Sequence, residues 1–241
     1  MIKFFRRIRQ NLLEESKTTK YLTYALGEIA LVVIGILIAL SINNWNESRQ
    51  HEKIKGNIYK TVVEDIKKDS SEVAMVLNFI QDRKNTFEKI LHDSLTLKDI
   101  EENELIFSIL TDVRVLSIEQ RGYDLLRNFE DQSVSMNDSL SFRIINFYAS
   151  SLFFAGKVEN LIIDDLIKTN DLWKNQDWYA QIMKNNKDEK FKNYMLTDVE
   201  FKNLCAFRYS LLYENYVPTI EQFQEGGEQI RAAINARLDS K

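Results

Sequence analysis

The sequence has very little proline, glycine or cysteine. It holds one proline, seven glycines and one cysteine in 241 residues. Proline and glycine interrupt regular structure, so their scarcity favours long helices over a turn-rich β fold. A single cysteine, Cys205, excludes an intramolecular disulfide, and its apolar neighbours predict a buried small hydrophobic residue. The predicted fold class is all-α.

Motifs for catalysis, metal binding and phosphate binding are also missing. The two histidines, His51 and His92, have no acidic residues at ligand spacing, so no metal site is expected. No glycine-rich loop suggests a nucleotide or other cofactor. The acidic pair Asp164-Asp165 is best explained by a solvated helix face, because adjacent helical residues point in different directions. We therefore expect neither a cofactor nor an enzymatic activity.

The net charge of −4 conceals an asymmetry along the chain. Residues 1–24 contain six basic and two acidic residues, a net charge of +4, so the remainder carries −8. An acidic main domain argues against a nucleic-acid partner, since nucleic-acid binders show a basic patch. The positive charge lies beside an apolar run, where a membrane surface would attract it.

The apolar run covers residues 22–42 and predicts a transmembrane helix over residues 22–45. Its 21 residues would span about 31 Å as a helix, close to the thickness of a hydrocarbon core. Its twelve Leu, Ile and Val side chains favour insertion by about 4–7 kcal/mol. Glu28 is the only charge and lies near the N-terminal edge, where its cost of about 3 kcal/mol is reduced by snorkelling.

The flanks of the run predict its orientation. Tyr21 and Tyr24 at one end and Trp45 at the other are interface anchors, because aromatic rings settle at the headgroup level. Basic residues precede the run, so the N-terminus is expected in the cytoplasm of a bacterial inner (plasma) membrane, with residues 46–241 periplasmic or otherwise extracytoplasmic. The alternative is a signal peptide cleaved at Ala39-Leu40-Ser41.

Residues 1–21 form the cytoplasmic part of this scheme. Apolar residues at helical spacing among basic ones predict an amphipathic helix on the inner leaflet, with a disordered basic tail as the alternative. Within the span, Gly27, Gly35 and Ala39 form a small-residue face that predicts packing against a membrane protein partner or a second copy. Glu28 either meets a cation on another membrane helix or snorkels to the interface.

The stretch from residue 8 to residue 47 carries a family resemblance. Its recurring pieces are Ile8-Arg9-Gln10, Leu12-Leu13, Lys20-Tyr21-Leu22, Gly27-Glu28-Ile29, Val32-Val33-Ile34-Gly35-Ile36 and Ile42-Asn43-Asn44-Trp45-Asn46-Glu47. This stretch resembles an uncharacterised bacterial membrane family, domain of unknown function family 6090, of the Bacteroidota type. Residues 123–148 also look similar, whereas Ser16 and Ser41 depart from the Gly and Gln of many relatives. The resemblance implies a single-pass protein and no known activity.

Residues 46–241 are predicted to form an irregular helical bundle. Tyr59, Ile66, Val73, Ile80 and Phe87 repeat every seven residues, with Val63, Leu77 and Leu91 four further on. This seam fits either a coiled coil with another chain or, as we favour, the first helix of an intramolecular bundle.

The remaining helices are predicted from caps and periodicity. Residues 101–111 form a short helix, Ser117 with Gln120 caps a helix to Asp131, and residues 133–138 are a linker. A central helix covers residues 140–173, its apolar stripe widened by Phe142, Ile145, Phe153, Phe154, Leu161 and Ile163. Residues 175–193 form a short helix with a loop. Thr197 with Glu200 caps a final helix to Leu238, kinked by Pro218 and weakened by Gly226-Gly227.

Two hypotheses about function follow. The favoured one is a membrane-anchored helical interaction or scaffold module of the cell envelope. The alternative is an extracytoplasmic sensor or small-ligand-binding domain acting through a partner chain, because the cytoplasmic part is too short for signalling. Tyr209, Tyr213 and Tyr216 would line the pocket of such a sensor, although tyrosines on a helix more often belong to the core.

Overall fold

A computed structural model describes residues 18–132, 138–184 and 188–240, and within those ranges it contains helices and no strand. The predicted all-α class is therefore confirmed. Residues 1–17 of the predicted amphipathic segment and most of the predicted linker, residues 133–137, lie outside the described residues. The helices are α1 (Thr18–Leu91), α2 (Leu97–Glu102), a 3₁₀ helix (Glu104–Ser108), α3 (Arg121–Gln132), α4 (Ser139–Trp173), α5 (Tyr179–Ile182), α6 (Glu189–Thr197), α7 (Val199–Tyr209), a π-helix (Ser210–Tyr216) and α8 (Val217–Asp239).

The chain divides into two compact units, Met1–Lys55 and Gly56–Lys241. In the described part of the first unit the backbone is the beginning of α1. In the described residues, α1 is the one helix long and apolar enough to cross a membrane, with a mean hydropathy of 2.6 in its most apolar window. The predicted division into residues 1–21, 22–45 and 46–241 stays a prediction.

In the second unit, three long helices pack around a common core. Residues 56–91 of α1 run parallel to α4, since Tyr59 is hydrogen-bonded to Ser141 near the start of α4, and Asp65 and Asp69 lie near Tyr148 further along both helices. The opposite direction of α8 and the π-helix follows from two contacts further along: Ile66 packs on Gly227, and Tyr213 donates to the Ile80 carbonyl at 2.7 Å. The α1 seam is buried at Tyr59, Ile66, Val73, Ile80 and Phe87. The seam therefore packs inside the chain.

The core has two apolar clusters, one at each end of the unit. The first surrounds Val62 and Ile144, where α3 covers α1 and α4. The second is larger and aromatic, with Trp173 at the end of α4 against Trp178 and Phe191. Burial of this apolar surface is the main favourable term in the stability of the unit.

Glycines allow the helices to approach closely at three positions. A Cβ at Gly122 would lie 2.7–2.8 Å from Val62 of α1, and one at Gly226 would lie 2.7 Å from the Phe147 ring. Gly227 faces Ile66 at 3.3 Å. α8 is continuous through Gly226-Gly227, and the predicted weakening of the helix there stays a prediction. Both glycines are required for packing against α1 and α4.

Two predicted capping boxes are wrong. The helix expected after Ser117 begins only at Arg121, because the side chains of Asp65 and Asp69 on α1 bind the backbone N–H groups of Gly122 and Glu119. At the other position Asp198, not Thr197, caps α7 by accepting from the Glu200 N–H at 2.7 Å. A carboxylate at the N-cap also interacts favourably with the helix dipole.

Other boundaries also differ from the prediction. The single helix expected over residues 101–111 is divided at Asn103, whose side chain caps the 3₁₀ helix, and the preceding α2 is capped by Thr96 and Asp99. The kink expected at Pro218 is preceded by a π-helix, in which the Val217 N–H bonds to the Leu212 carbonyl five residues back. The register therefore changes just before the proline, which has no N–H to donate.

Candidate interaction surface

The apolar segment of α1 in the first unit exposes nearly all of its large side chains. Each of the apolar residues Leu31, Ile34 and Leu37 has more than half of its surface exposed, and so has Trp45 at the end of the segment. None of the most apolar window is buried. An exposed apolar face of this length is typical of a surface that meets lipid or another protein.

The predicted packing residues of this segment lie on its surface. A Cβ at Gly27 or Gly35 would meet nothing within 4 Å, and Ala39 is exposed. Glu28 is half-buried. The Trp45 ring lies 5.8 Å from the Arg49 guanidinium, a cation–π contact at the end of the apolar run. The side chains of the other predicted anchors, Tyr21 and Tyr24, lie outside the described residues.

In the second unit, α4 has an exposed apolar side in addition to its buried one. Ile144, Tyr148, Ala155 and Ile162 form the buried side, as the stripe predicts. Of the six residues expected to widen that stripe into the core, only Ile145 packs against it. Phe142, Phe153, Phe154, Leu161 and Ile163 are all exposed, and Ile145 is only partly buried. The prediction failed because a helix of this composition packs against α1, α3 and α8 on one side only.

Part of this exposed side is a row of apolar and small residues. At about 100° per residue, six such residues outside the core fall within about 80° of the helix circumference, a sector that they share with the polar residues Asn160 and Asp171. We define them as the α4 row: Phe142, Ala149, Phe153, Gly156, Ile163 and Ile167. Phe154 and Leu161 lie roughly 100° away and do not belong to it. A Cβ at Gly156 would meet nothing within 4 Å, so the described fold does not need a glycine there.

The three tyrosines of the predicted pocket come together around the π-helix, and two of them bind protein atoms. The Tyr216 hydroxyl accepts from the Leu116 N–H at 2.6 Å and donates to Glu159 at 2.7 Å. Tyr213 donates to the Ile80 carbonyl, and its ring lies 4.5 Å from that of Tyr209. The hydroxyl groups of Tyr213 and Tyr216 therefore connect the π-helix to α1, α4 and residues 113–120 by hydrogen bonds. Such an arrangement is typical of a protein core. The pocket itself stays a prediction.

A buried acidic cluster joins α1 to the start of α3. Asp65 accepts from the Gly122 N–H at 2.6 Å and Asp69 from the Glu119 N–H at 2.8 Å, and both carboxylates are buried. The second oxygen of Asp69 and the Tyr148 hydroxyl have no hydrogen-bond partner in the described part of the chain. Loss of solvation on burial raises the pKa of Asp69 to about 7, against the opposing effect of the Glu119 hydrogen bond.

A second buried charged pair joins α4 to α7. The Arg208 Nε donates to Asp165 at 2.6 Å, and both side chains are buried. Asp165 was expected on a solvated face, and only its neighbour Asp164 is exposed, where it pairs with Lys168. The signal missed in the sequence is Arg208 itself, a cation within an apolar segment that requires a buried anion. Cys205, one turn earlier, is fully buried, and burial raises the pKa of its thiol.

Metal-binding geometry is not found in the described ranges, where no group of three His, Cys, Asp or Glu residues could hold an ion. His92 lies just after the end of α1, and its Nδ1 lies 2.7 Å from the Glu88 carbonyl, which suits a helix-capping role.

Comparison with known sequences gives one match. The model of a family described as "Family of unknown function (DUF6090)" matches residues 28–156, slightly more than half of the chain. No curated protein and no solved structure matches the chain.

Proposed function

The chain belongs to the family of unknown function DUF6090, and because membership defines no activity, we propose from its own structure that it is a membrane-anchored helical module that binds other envelope proteins. The observation that supports this proposal most strongly is the fully exposed apolar segment of α1, which lipid would cover. The α4 row provides a second exposed apolar surface, on the unit that follows the anchor.

In this proposal the apolar segment around Leu22–Trp45 spans the inner membrane once. Transfer of its twelve aliphatic side chains into lipid is favourable by about 4–7 kcal/mol, more than the penalty for one carboxylate near the edge. Tyr21, Tyr24 and Trp45 would lie at the two interfaces. The cytoplasmic N-terminus follows from the excess of basic residues before the span. Gly27, Glu28, Gly35 and Ala39 would then be available to another membrane helix.

We propose no catalytic activity for the second unit. Cys205, the one thiol of the sequence, is shielded from solvent and has a raised pKa, which disfavours the nucleophilic thiolate. The charged pair Arg208–Asp165 is buried between α4 and α7, where it is shielded from any substrate in solution. These features are consistent with a binding module whose chemistry is surface recognition.

Membrane fractionation tests the anchor. We expect the full chain to remain in the membrane pellet after extraction at high pH, and the double variant Ile34→Arg/Leu37→Arg to be released or degraded, because two central arginines cost about 5–7 kcal/mol. Ile34→Leu/Leu37→Ile is the matched control and should stay in the pellet. Full release of the unaltered chain into the soluble fraction would contradict the proposal.

A C-terminal reporter tests the orientation. A phosphatase that is active only outside the cytoplasm should be active when fused after Lys241, and a fluorescent protein that folds only in the cytoplasm should be dark there. The same reporters placed at the N-terminus serve as controls. The reverse pattern would place the second unit in the cytoplasm and reject the proposed topology.

A further inference from the structure

The exposed side of α4 is more apolar than the fold requires. Phe142 and Phe153 are 67% and 56% exposed, and Ile163 and Ile167 are 38% and 55% exposed. Four large apolar side chains in contact with water within seven turns of one helix are unfavourable unless something covers them. No residue that the structure describes buries them, because the opposite side of α4 is the one that packs on α1 and α8.

Gly156 lies between Phe153 and Ile163, well inside the helix. A glycine in the interior of a helix is less favourable than alanine, and here an added methyl group would meet open space. By contrast, Gly122, Gly226 and Gly227 each lie against a neighbouring side chain. The fold therefore explains those three glycines and leaves Gly156 unexplained. A glycine next to the exposed Ala149 and Phe153 allows the backbone of another helix to come close.

We propose that the α4 row is a self-association surface, on which the occupant is the α4 row of a second copy of this chain. Phe153 lies about one turn from each of the small residues Ala149 and Gly156, so the ring of each copy can pack against the small residues of the other, as a two-fold symmetric interface requires. The proposal rests on the proposed function, because anchoring in one membrane is what brings two copies together in the same orientation.

The area of the row fits a membrane-assisted dimer. With about 200 Å² for a whole phenylalanine, the exposed parts of the four large residues and the small residues between them amount to roughly 500–600 Å². Two copies would bury about 1,000–1,200 Å² in total, at the lower limit of specific interfaces. Such an interface is weak between free proteins in solution. Confinement of both copies to one membrane raises their effective concentration and makes it sufficient.

The charges along the row do not oppose this pairing. Lys157 lies over the Phe153 ring at 4.7 Å, and Lys168 and Asp164 on the same side neutralise one another at 2.6 Å. The polar residues Asn146 and Asn160 fall on the same side of α4 as the row, one turn from Ala149 and Gly156. Asparagines within an otherwise apolar helix seam fix register and the number of chains.

The test uses the full chain in lipid vesicles that contain no other protein. Ala180→Cys places a label on α5, at an exposed position outside the row, and the buried Cys205 is not expected to react. Copies labelled with donor and acceptor dyes are mixed at increasing protein-to-lipid ratios. We expect energy transfer above the level of random encounter, saturating as a dimer. Phe153→Asp should raise the protein density at half-saturation at least tenfold.

Two further variants distinguish pairing through the α4 row from association through other surfaces. Phe154→Asp changes the adjacent ring, which is equally exposed but roughly 100° from the row, and should leave energy transfer unchanged. Gly156→Leu adds an apolar side chain that points into open space. If the contact were non-specific, this variant would associate more strongly. If the two rows pair closely, the added side chain should raise the protein density at half-saturation at least tenfold. Circular dichroism should show unaltered helix content for all three variants.

The outcomes separate this inference from the proposed function. Equal energy transfer for Phe153→Asp and the unaltered chain would overturn the inference, since any dimer would then form elsewhere, for example through Gly35 and Ala39. Increased energy transfer with Gly156→Leu would also overturn the inference. So would the absence of energy transfer from a chain that is inserted in the vesicles. Both outcomes would leave the proposed anchored module unaffected. A chain that fails to float with the vesicles would reject the proposed function itself.

Discussion

Among the described carboxylates that bind a backbone N–H group, Asp69 is the one whose pKa is raised furthest above its usual value. It is buried on α1, and the groups that face it are Asp65 and Lys68 on the same helix, Glu119 before α3, and Tyr148 on α4. Burial disfavours the charged form, and the nearby carboxylates of Asp65 and Glu119 disfavour it further. A carboxyl group with a pKa of about 7 when folded binds its proton more tightly in the folded state than in the unfolded one.

The direction of the pH dependence follows from this comparison. Because the folded pKa lies above the usual value of 3.8, the unfolded state loses the proton first as pH rises. Stability contributed by protonated Asp69 is therefore complete below about pH 4 and is lost as pH rises through 7. We expect the unfolding free energy to fall by about 2–4 kcal/mol from this group between pH 4 and pH 8.

Asp69→Asn tests this expectation. Asparagine keeps the oxygen that accepts from the Glu119 N–H and cannot ionise, so the variant should be more stable than the natural chain at pH 8 and should have a flatter pH profile. Thermal unfolding at several pH values measures both effects. Glu64→Gln, an exposed position on the same helix, is the control and should keep the natural profile. An unchanged slope in Asp69→Asn would contradict the raised pKa.

At the scale of helices, the distances between them are set by a few glycines. Gly122 lies directly against the backbone of Val62, so α3 and α1 touch without intervening side chains. The hydrogen bond from the Gly122 N–H to Asp65 depends on the same close approach. A larger residue at position 122 would move α3 away from α1 and weaken this hydrogen bond. Gly156 on α4 has no such neighbour.

Gly122→Ala and Gly156→Ala form a matched pair with opposite expected effects. The first forces a methyl group to within 3 Å of the Val62 backbone and should destabilise the second unit by about 2–3 kcal/mol. The second replaces a helix glycine that has no close neighbour, and it should raise the free energy of unfolding of the monomer by up to about 1 kcal/mol. Chemical denaturation followed by far-ultraviolet circular dichroism compares them. Equal destabilisation by both would show that the contact at Gly122 has been overestimated.

The helices were more predictable from the sequence than the contacts at their ends. The seven-residue repeat from Tyr59 to Phe87 and the stripe from Ile144 to Ile162 are long periodic patterns, and both sets of residues are buried as expected. The start of α3 was wrong because its N–H groups bind Asp65 and Asp69, which lie more than 45 residues earlier in the chain. Local sequence patterns cannot indicate a cap supplied by a distant helix.

The same limit applies to the surface. Phe153 and Ala155 are both apolar, and periodicity alone did not say that the first faces solvent and the second the core. That distinction depends on how many neighbours a helix has, which is a property of the assembled bundle. Arg208 and Asp165 likewise became partners only through the packing of α7 on α4. Residues paired by tertiary contact were therefore missed, whereas the long apolar run of α1 is evident from composition alone.

At the scale of the whole molecule, the sequence separates into a basic, apolar first unit and an acidic second one. Residues 1–55 contain nine basic and five acidic residues, so residues 56–241 carry a net charge of −8. The second unit contains both of the apolar clusters and all of the long-range helix contacts described above. Its core does not include any residue of the apolar segment that we assign to the membrane.

We therefore expect residues 56–241 to fold without the anchor. A fragment that begins at Gly56 should be soluble, helical and cooperative in thermal unfolding, because it retains the contacts of α1 with α3, α4 and α8. A fragment that begins at Ser70 is the control, since it lacks Tyr59, Val62, Ile66 and Asp65 and should lose the cluster around Ile144. Gel filtration and calorimetry compare the two. Aggregation or gradual melting of the longer fragment would contradict this expectation.

The π-helix between α7 and α8 also constrains which changes in length the gene can accept. A π-helical turn corresponds to one residue more than an α-helix of the same rise would contain. Deletion of one residue from Ser210–Tyr216 would therefore restore α-helical spacing and leave every later residue facing nearly the same direction. Ile220, Phe223 and Ile230 would stay in the core, whereas a deletion in the regular α-helix just before Ile220 would turn all three by about 100°. Evolution can therefore shorten the last helix by one residue more readily within the π-helix than within α8.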